Sequence, residues 1–318
     1  RNVRKGSSIT INLPLISQPD MSLSIASLNS GSNGNCYYIG NEEEAVFIDA
    51  GLSCAETEIR MNRLGLKMDR IKGIFISHEH SDHVLGLSAL VQKYKIPVFI
   101  NPGTLREVRG KRMRAFVQLT ESHKQVSVGG LLITPFPKNH DARDPHSFIV
   151  SCRQATVGIF TDIGQPCSQL VHYFSQCHAA FLEANYDEDM LQNGRYPYFL
   201  KNRIRGGNGH LSNHQALELF KAHRSASLSH LLLSHLSKEN NSPELVQSLF
   251  EPHSASTRVI IASRYQESQL YCISPLSSTA EVQPSLPDVY QCAVPARPGS
   301  PLRKKENINP ALRQLSLF

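Results

Sequence analysis

Three imidazoles and two carboxylates crowd into seven consecutive residues, Ser77-His78-Glu79-His80-Ser81-Asp82-His83, directly after the apolar run Ile71-Lys72-Gly73-Ile74-Phe75-Ile76. Neutral imidazole and carboxylate are the ligands preferred by zinc and by harder neighbours such as manganese. In an extended segment, residues two apart point to the same side, so His78 and His80 face one ion. Asp82 and His83 follow at the turn into an expected helix over residues 84–94, and a turn aims adjacent side chains at a second ion. A solvated polar loop is the competing explanation. The spacing, at the end of a strand apolar enough to be buried, favours the metal.

The rest of the composition narrows the class. A chain of 318 residues holds one large domain or two small ones. Its hydrophobic content of 40% with 19% charged residues is ordinary for a globular protein. No apolar stretch approaches the roughly 20 residues that span a bilayer, so no membrane partner is expected. The seven cysteines are scattered, odd in number and contain no CxxC pair. That argues against a disulfide framework and for a reducing cytoplasm. A metal site therefore rests on His and Asp. A net charge of +6 is compatible with a polyanionic substrate. Residues 1–20 read as a disordered extension or a remnant upstream of Met21, and "RNVRKGSS" lacks the apolar core of a signal peptide.

Strands are expected over residues 23–28, 36–39, 45–48, 71–76 and 98–100, with helices over 55–64 and 84–94. A second half repeats this logic, with strands over 131–136, 148–152, 156–160, 179–182, 231–233 and 258–262. Its helices fall over 168–175, 214–223 and 244–250. The order suggests an α/β fold of sheets sandwiched between helices. From residue 274 the chain turns rich in Pro and Ser without a periodic apolar face, and reads as a flexible tail. An extra strand around residues 289–294 is the alternative. His140, Asp162 and His235 each stand where an expected strand runs into a loop, where open α/β sheets gather ligands. His146 is a rival for His140.

The pattern HxHxDH after an apolar strand resembles the metallo-β-lactamase-fold hydrolases. The strings "ASLNSGSNGNCYYIG", "FIDAGLS", "IFISHEHSDHVLGL", "TDIG", "LEANYD", "GNGHLSN" and "LSHLSKENN" are most similar to the YycJ/WalJ-type branch, bacterial proteins related to exonucleases. The resemblance covers about residues 22–273. It implies an αβ/βα sandwich over residues 21–273, two mixed sheets flanked by helices. It also implies two divalent ions, Zn or Mn. His78, His80 and His140 would hold the first. Asp82, His83 and His235 would hold the second, with Asp162 bridging. Asp49 would support the metal loop from behind. The ions would activate a water, and Asp82 would help orient it. His210, with Glu183 behind it, would protonate the leaving alkoxide. A phosphate ligand or a plain loop histidine are the other readings of His210. The inserted domain of ribonuclease J-type enzymes does not fit between Glu183 and His210.

Two basic stretches suit a phosphate backbone. One carries Arg106, Arg109, Lys111, Arg112 and Arg114. The other carries Arg195, Lys201, Arg203 and Arg205, interleaved with Tyr196, Tyr198 and Phe199. Solvated helix faces are the alternative for both. Ser30, Ser32, Asn33 and Asn35 suggest phosphate contacts from a loop near the sheet end. The segment Gln314-Leu315-Ser316-Leu317-Phe318 resembles the QLxLF peptides by which bacterial repair proteins dock on the DNA polymerase sliding clamp. The expectation is a two-metal 5′-to-3′ DNA exonuclease in replication-linked mismatch repair, cytoplasmic and nucleoid-associated. The rivals are an RNA-processing nuclease, a cyclic phosphodiesterase or thioesterase, and a non-catalytic clamp adaptor.

Overall fold

The computed structural model describes residues 22–275. The extension at 1–20, the alternative strand at 289–294 and the clamp-like peptide at 314–318 lie outside the described residues. So does the tail from 276 onward.

The chain first lays down an antiparallel meander of β1 (Leu23–Asn29), β2 (Cys36–Gly40) and β3 (Ala45–Ile48). Helix α1 (Cys54–Arg63) then carries it to β4 (Ile71–Phe75), parallel to β3. Two further crossovers follow. The first, through α2 (Ser81–Val84) and α3 (Leu87–Tyr94), reaches β5 (Val98–Ile100). The second, through α4 (Pro102–Glu107), reaches β6 (Val117–Leu119). The second sheet opens with antiparallel strands β7 (Val126–Val128), β8 (Leu131–Pro137), β9 (His146–Cys152) and β10 (Ala155–Phe160). It continues parallel through β11 (Ala179–Glu183), β12 (His230–Ser234) and β13 (Arg258–Ile261). Helices α5 (Ser168–Phe174), α6 (Glu188–Asn193), α7 (Tyr198–Arg205), α8 (Asn213–His223) and α9 (Pro243–Phe250) make the connections. Finally β14 (Tyr271–Ile273) returns to pair with β1.

Each sheet has seven strands, in the orders β14-β1-β2-β3-β4-β5-β6 and β13-β12-β11-β10-β9-β8-β7. Strands covered on both faces read as continuous apolar runs rather than as alternation, and β3 and β11 are buried at every residue. The inner faces meet through Tyr37, Phe75, Phe99, Phe148 and Phe181. Phe75 stacks on Phe99 with centroids 4.4 Å apart, and Tyr37 meets Phe181 at 4.8 Å. Each such ring contributes on the order of 1.5–3 kcal/mol by burial. Separate apolar layers seat α1 and α3 on the first sheet and α5, α8 and α9 on the second. The architecture is the expected αβ/βα sandwich. No helix among the described residues is long and apolar enough to cross a membrane.

The structure departs from expectation in places. The helix expected over 84–94 is two pieces, because Gly86 packs against the chain after β3. Its N–H donates to the Ala50 carbonyl at 2.8 Å, and a Cβ there would stand 1.8 Å from the Leu52 carbonyl oxygen. Asp82 and His83 consequently lie inside the first helical turn rather than ahead of it. The strands β6, β7 and β14 are as short as β5 but lack its unbroken buried apolar triplet, so neither a period nor an apolar run marks them.

Gly51 makes an equally close approach beside the histidine loop. A Cβ there would meet the Asp82 carbonyl oxygen at 1.7 Å and Asn35 N at 2.6 Å. Gly51→Ala is therefore expected to cost roughly 1–3 kcal/mol as an overpacked site and to lower bound divalent metal by displacing Asp82. Denaturant melts and elemental analysis of the same preparation check this. Wild-type stability with full metal content would contradict it.

Candidate metal centre

The side chains of interest stand at one edge of the sandwich, at the carboxyl ends of β3, β4, β8, β10, β11 and β12. Three of them leave their strands in the left-handed region: Asp49 (φ 63°), Asp162 (φ 55°) and His235 (φ 56°). Such a conformation costs a non-glycine residue roughly 1–3 kcal/mol and persists where the surroundings enforce it.

His78, His80 and His140 form one group, with ligand atoms within 4.8 Å of one another. His78 Nε2 and His80 Nδ1 are 3.0 Å apart, and His140 Nε2 is 3.4 Å from His80 Nδ1. The far side of each ring is committed where it matters. The Ser77 hydroxyl donates to Asp49 Oδ2, so it accepts from His78 Nδ1–H at 2.9 Å. The Gly209 carbonyl accepts from His140 Nδ1–H at 3.0 Å. Both Nε2 lone pairs are thereby turned into the cluster, the arrangement metal-binding histidines use. Burial holds the pKa of His78 and His140 well below the ordinary imidazole range, in the neutral ligand form. His146, the rival for His140, is turned instead to Ser122 and Asn101.

Asp82, His83, Asp162 and His235 form the second group. Asp49 Oδ2 accepts from His83 Nδ1–H at 2.7 Å, while Asp49 Oδ1 takes the Ser77 backbone N–H at 2.8 Å. One carboxylate thus fixes both the loop and the ring. Glu183 Oε1 accepts from His235 Nδ1–H at 2.9 Å. Asp162 stands between the groups, with Oδ2 3.2 Å from His83 Nε2 and Oδ1 3.8 Å from His140 Nε2. Asp162 Oδ2 and His235 Nε2 are buried without a hydrogen-bond partner among the described residues. Orphaned buried donors and acceptors of this kind, in an all-N/O set, fit divalent cations. Burial works against charge on Asp162, but His235 and His83 outweigh it and hold its carboxyl well below the usual range.

Glu183 is shared more widely than expected. Besides His235 it accepts from His210 Nδ1–H at 2.8 Å, from Ile163 N at 2.7 Å and from Leu211 N at 3.1 Å. With four donors its oxygens are already spoken for, so it serves as a holder of two imidazoles rather than as a ligand. His210 is partly exposed and lines a cleft with His80, Asp82, His140, Asp162 and His235. The helices α6 and α7 fill the span between Glu183 and His210, and Leu200, Arg203 and Ile204 of α7 wall the cleft.

Of the nine basic residues expected to meet nucleic acid, Arg203 lines the cleft, and there it pairs with Asp141 at 2.5 Å. Arg106, Arg109 and Arg114 are exposed and do not line the cleft, and Lys111 and Arg112 belong to the neighbouring 3-10 turn Lys111–Phe116. Arg195 is exposed outside it, and Lys201 and Arg205 turn to Gln192 at the end of α6. The serine-asparagine loop is better placed. Asn35 Nδ2 reaches Asp82 Oδ2 at 3.1 Å, and Ser30 Oγ accepts from His235 N at 2.7 Å. Sequence reasoning missed Lys138, buried behind the centre with its ammonium on the Thr161 carbonyl at 2.7 Å. It also missed Lys238 and Arg264 on the cleft wall.

These features agree with the relatives of the chain. The model of the metallo-beta-lactamase superfamily matches residues 30–197. Exodeoxyribonuclease YycJ of Bacillus anthracis is 31% identical over 230 residues, covering 71% of this chain and 87% of that protein. Exodeoxyribonuclease WalJ of Streptococcus pneumoniae is 30% identical over 223 residues, covering 69% and 83%. In structure, the metallo-beta-lactamase fold protein YhfI from Bacillus subtilis superposes with a TM-score of 0.61 at 13% identity, over 80% of this chain and all (100%) of that one. The chain belongs to the metallo-β-lactamase superfamily and is a YycJ/WalJ-like, metal-dependent hydrolase.

Loading of metal should release protons. Burial disfavours charge on His83 and His235, yet the surrounding carboxylates, Asp162 foremost, raise the pKa of His83 well above its ordinary value and push that of His235 up to about 10. Both imidazoles are then protonated in the ion-free chain at neutral pH, and a ligand must be neutral. Titration calorimetry of the chelator-treated protein is expected to show release of about two protons per chain near pH 7.5, with affinity rising as pH rises. A heat of binding identical in buffers of different ionisation enthalpy would contradict this.

Proposed function

We propose that this hydrolase cleaves DNA phosphodiester bonds as a 5′-to-3′ exonuclease in replication-linked repair, mismatch repair included, in the bacterial cytoplasm. The observation that carries the reading is the His210–Glu183 pair, which opens onto the cleft beside two groups of metal-type donors. The exodeoxyribonuclease names of the relatives supply DNA and the exonucleolytic mode. His78, His80 and His140 would hold one divalent ion and Asp82, His83 and His235 a second, Zn or Mn, with Asp162 facing both. When bound, such ions supply Lewis acidity to phosphoryl oxygens and acidify water.

The chain's own residues supply the rest. Asp82, at the cleft surface, orients the attacking water. Glu183 fixes His210 with Nδ1–H toward the carboxylate, so that Nε2 faces the leaving oxygen and delivers its proton. Asp49 and the Gly209 carbonyl keep the ligand rings in register as charge shifts. The segment Gln314-Leu315-Ser316-Leu317-Phe318 tethers the enzyme to the sliding clamp, its Leu and Phe filling an apolar cleft and Gln anchoring by hydrogen bonds.

Asp162→Ala is expected to abolish turnover and lower bound metal, read on end-labelled linear DNA with Mn²⁺, Zn²⁺ or chelator. Near-wild-type turnover with full metal content would refute its role. A parallel RNA digest separates a DNA enzyme from an RNA-processing one. His210→Ala should slow DNA cleavage by roughly 10²–10⁴-fold with metal retained, and spare a p-nitrophenyl ester whose leaving group needs no proton. Equal losses on both substrates would make His210 a phosphate ligand instead. A labelled peptide ending in the five residues 314–318 should bind purified clamp at about micromolar Kd, about −8 kcal/mol. Replacing Leu315 and Phe318 by Ala should abolish that anisotropy change. Equal binding by both peptides, or by neither, would remove the tether.

A further inference from the structure

Strand β13 is the last of the parallel run in the second sheet, so its carboxyl end shares the edge that bears the His and Asp donors. Three residues beyond it, Arg264 lines the cleft together with Ser32, Asp82 and His235. Its backbone is pinned from both sides. Ser30 N donates to the Ser263 carbonyl at 3.0 Å, and Asn33 Nδ2 donates to the Arg264 carbonyl at 2.8 Å. Buried Arg60 donates to the Tyr265 carbonyl at 3.1 Å. Gly31, at φ 150°, lets the loop close over Arg264, since a Cβ there would stand 3.1 Å from Arg264 Cβ.

The guanidinium is held but not neutralised. Nη2 donates to Ser32 Oγ at 3.2 Å, while Nη1 is buried without a hydrogen-bond partner. Among the described residues no carboxylate pairs with it within 4.0 Å, although Glu239 also lines the cleft. Arg203 across the cleft is the contrast, because Asp141 already occupies it. A partly buried guanidinium with unused donors is costly until an anion fills them, and its planar fork matches phosphate oxygens. The same loop registers Arg264 against the centre, since Ser30 takes the His235 N–H and Asn35 takes Asp82.

We propose that Arg264, with the Ser32 hydroxyl, is an anchor for a backbone phosphate neighbouring the one hydrolysed, and so sets where along the strand the bond is presented. The assignment rests on the reading of this cleft as a nuclease site. It adds to the basic stretches one residue that neither stretch contains.

The test compares wild type, Arg264→Ala and Arg264→Lys in Mn²⁺ on two substrates: short single-stranded DNA, and bis(p-nitrophenyl) phosphate, which has no neighbouring phosphate to hold. For Arg264→Ala, the loss of charge-assisted hydrogen bonds predicts a rise in KM for DNA of roughly 10- to 100-fold, with kcat changed less than about threefold. Arg264→Lys should recover part of the loss, and the small diester should be turned over as by wild type. An unchanged KM for DNA overturns the anchor while leaving the nuclease reading in place. Equal losses on both substrates overturn it too, by giving Arg264 a structural role. A wild type that turns over the small diester but no DNA removes the nuclease reading, and the anchor with it.

Discussion

Four carboxylates, those of Asp49, Asp82, Asp162 and Glu183, share one seam between two sheets, and offsetting their charge governs the structure around them. Buried charge is tolerated only when paired and hydrogen-bonded. Asp49 and Glu183 meet that condition with protein donors alone: backbone N–H groups, the Ser77 hydroxyl and the Nδ1–H of three imidazoles. Asp162 does not, because one of its oxygens has no hydrogen bond and faces His83. The division follows chemistry. Carboxylates saturated by the protein orient rings, and the undersaturated one is left for a cation. Lys138, buried nearby, donates to the Thr161 carbonyl behind the centre; burial lowers its pKa, and the facing carboxylates oppose that.

The local part of this design was legible in the sequence. HxHxDH on an apolar strand, Asp49 after β3, and Asp162 and His235 at later strand ends are short-range patterns, and all of them converge. The burial-driven strands were legible too, since β3 is apolar throughout, β11 is apolar up to Glu183 and β4 is broken only at Lys72 and Gly73. What could not be read is long-range. That Glu183 serves His235, 52 residues away in sequence, as well as His210 depends on β11 and β12 being neighbours. Arg264 and Lys138 stand alone among uncharged or mixed neighbours, with no run to draw attention. The basic runs are ambiguous for the complementary reason. Density of charge along a chain says nothing of which face a helix turns to the site, and on α7 only one of three basic side chains looks inward.

Backbone strain was equally invisible. The left-handed turns at Asp49, Asp162 and His235 involve residue types that tolerate this region better than most, but nothing local says which Asp or His adopts it. They make sense only beside the geometry they produce, where a strand end must reverse at once so that its side chain enters the seam.

The direction of β14 carries a consequence for mechanics. It runs antiparallel to β1, with Ile273 opposite Leu23, whereas the other end of β1 leads into the Ser30 loop at the site. Ile273, the last residue of β14, therefore stands about a strand's length, roughly 20 Å, behind the donor-bearing edge. A load on β14 would shear its edge pairing with β1, and β1 would hand it to the Ser30 loop, whose hydroxyl accepts from His235 N. The edge pairing of β14 and the register of the donor-bearing edge are thus joined through a single strand.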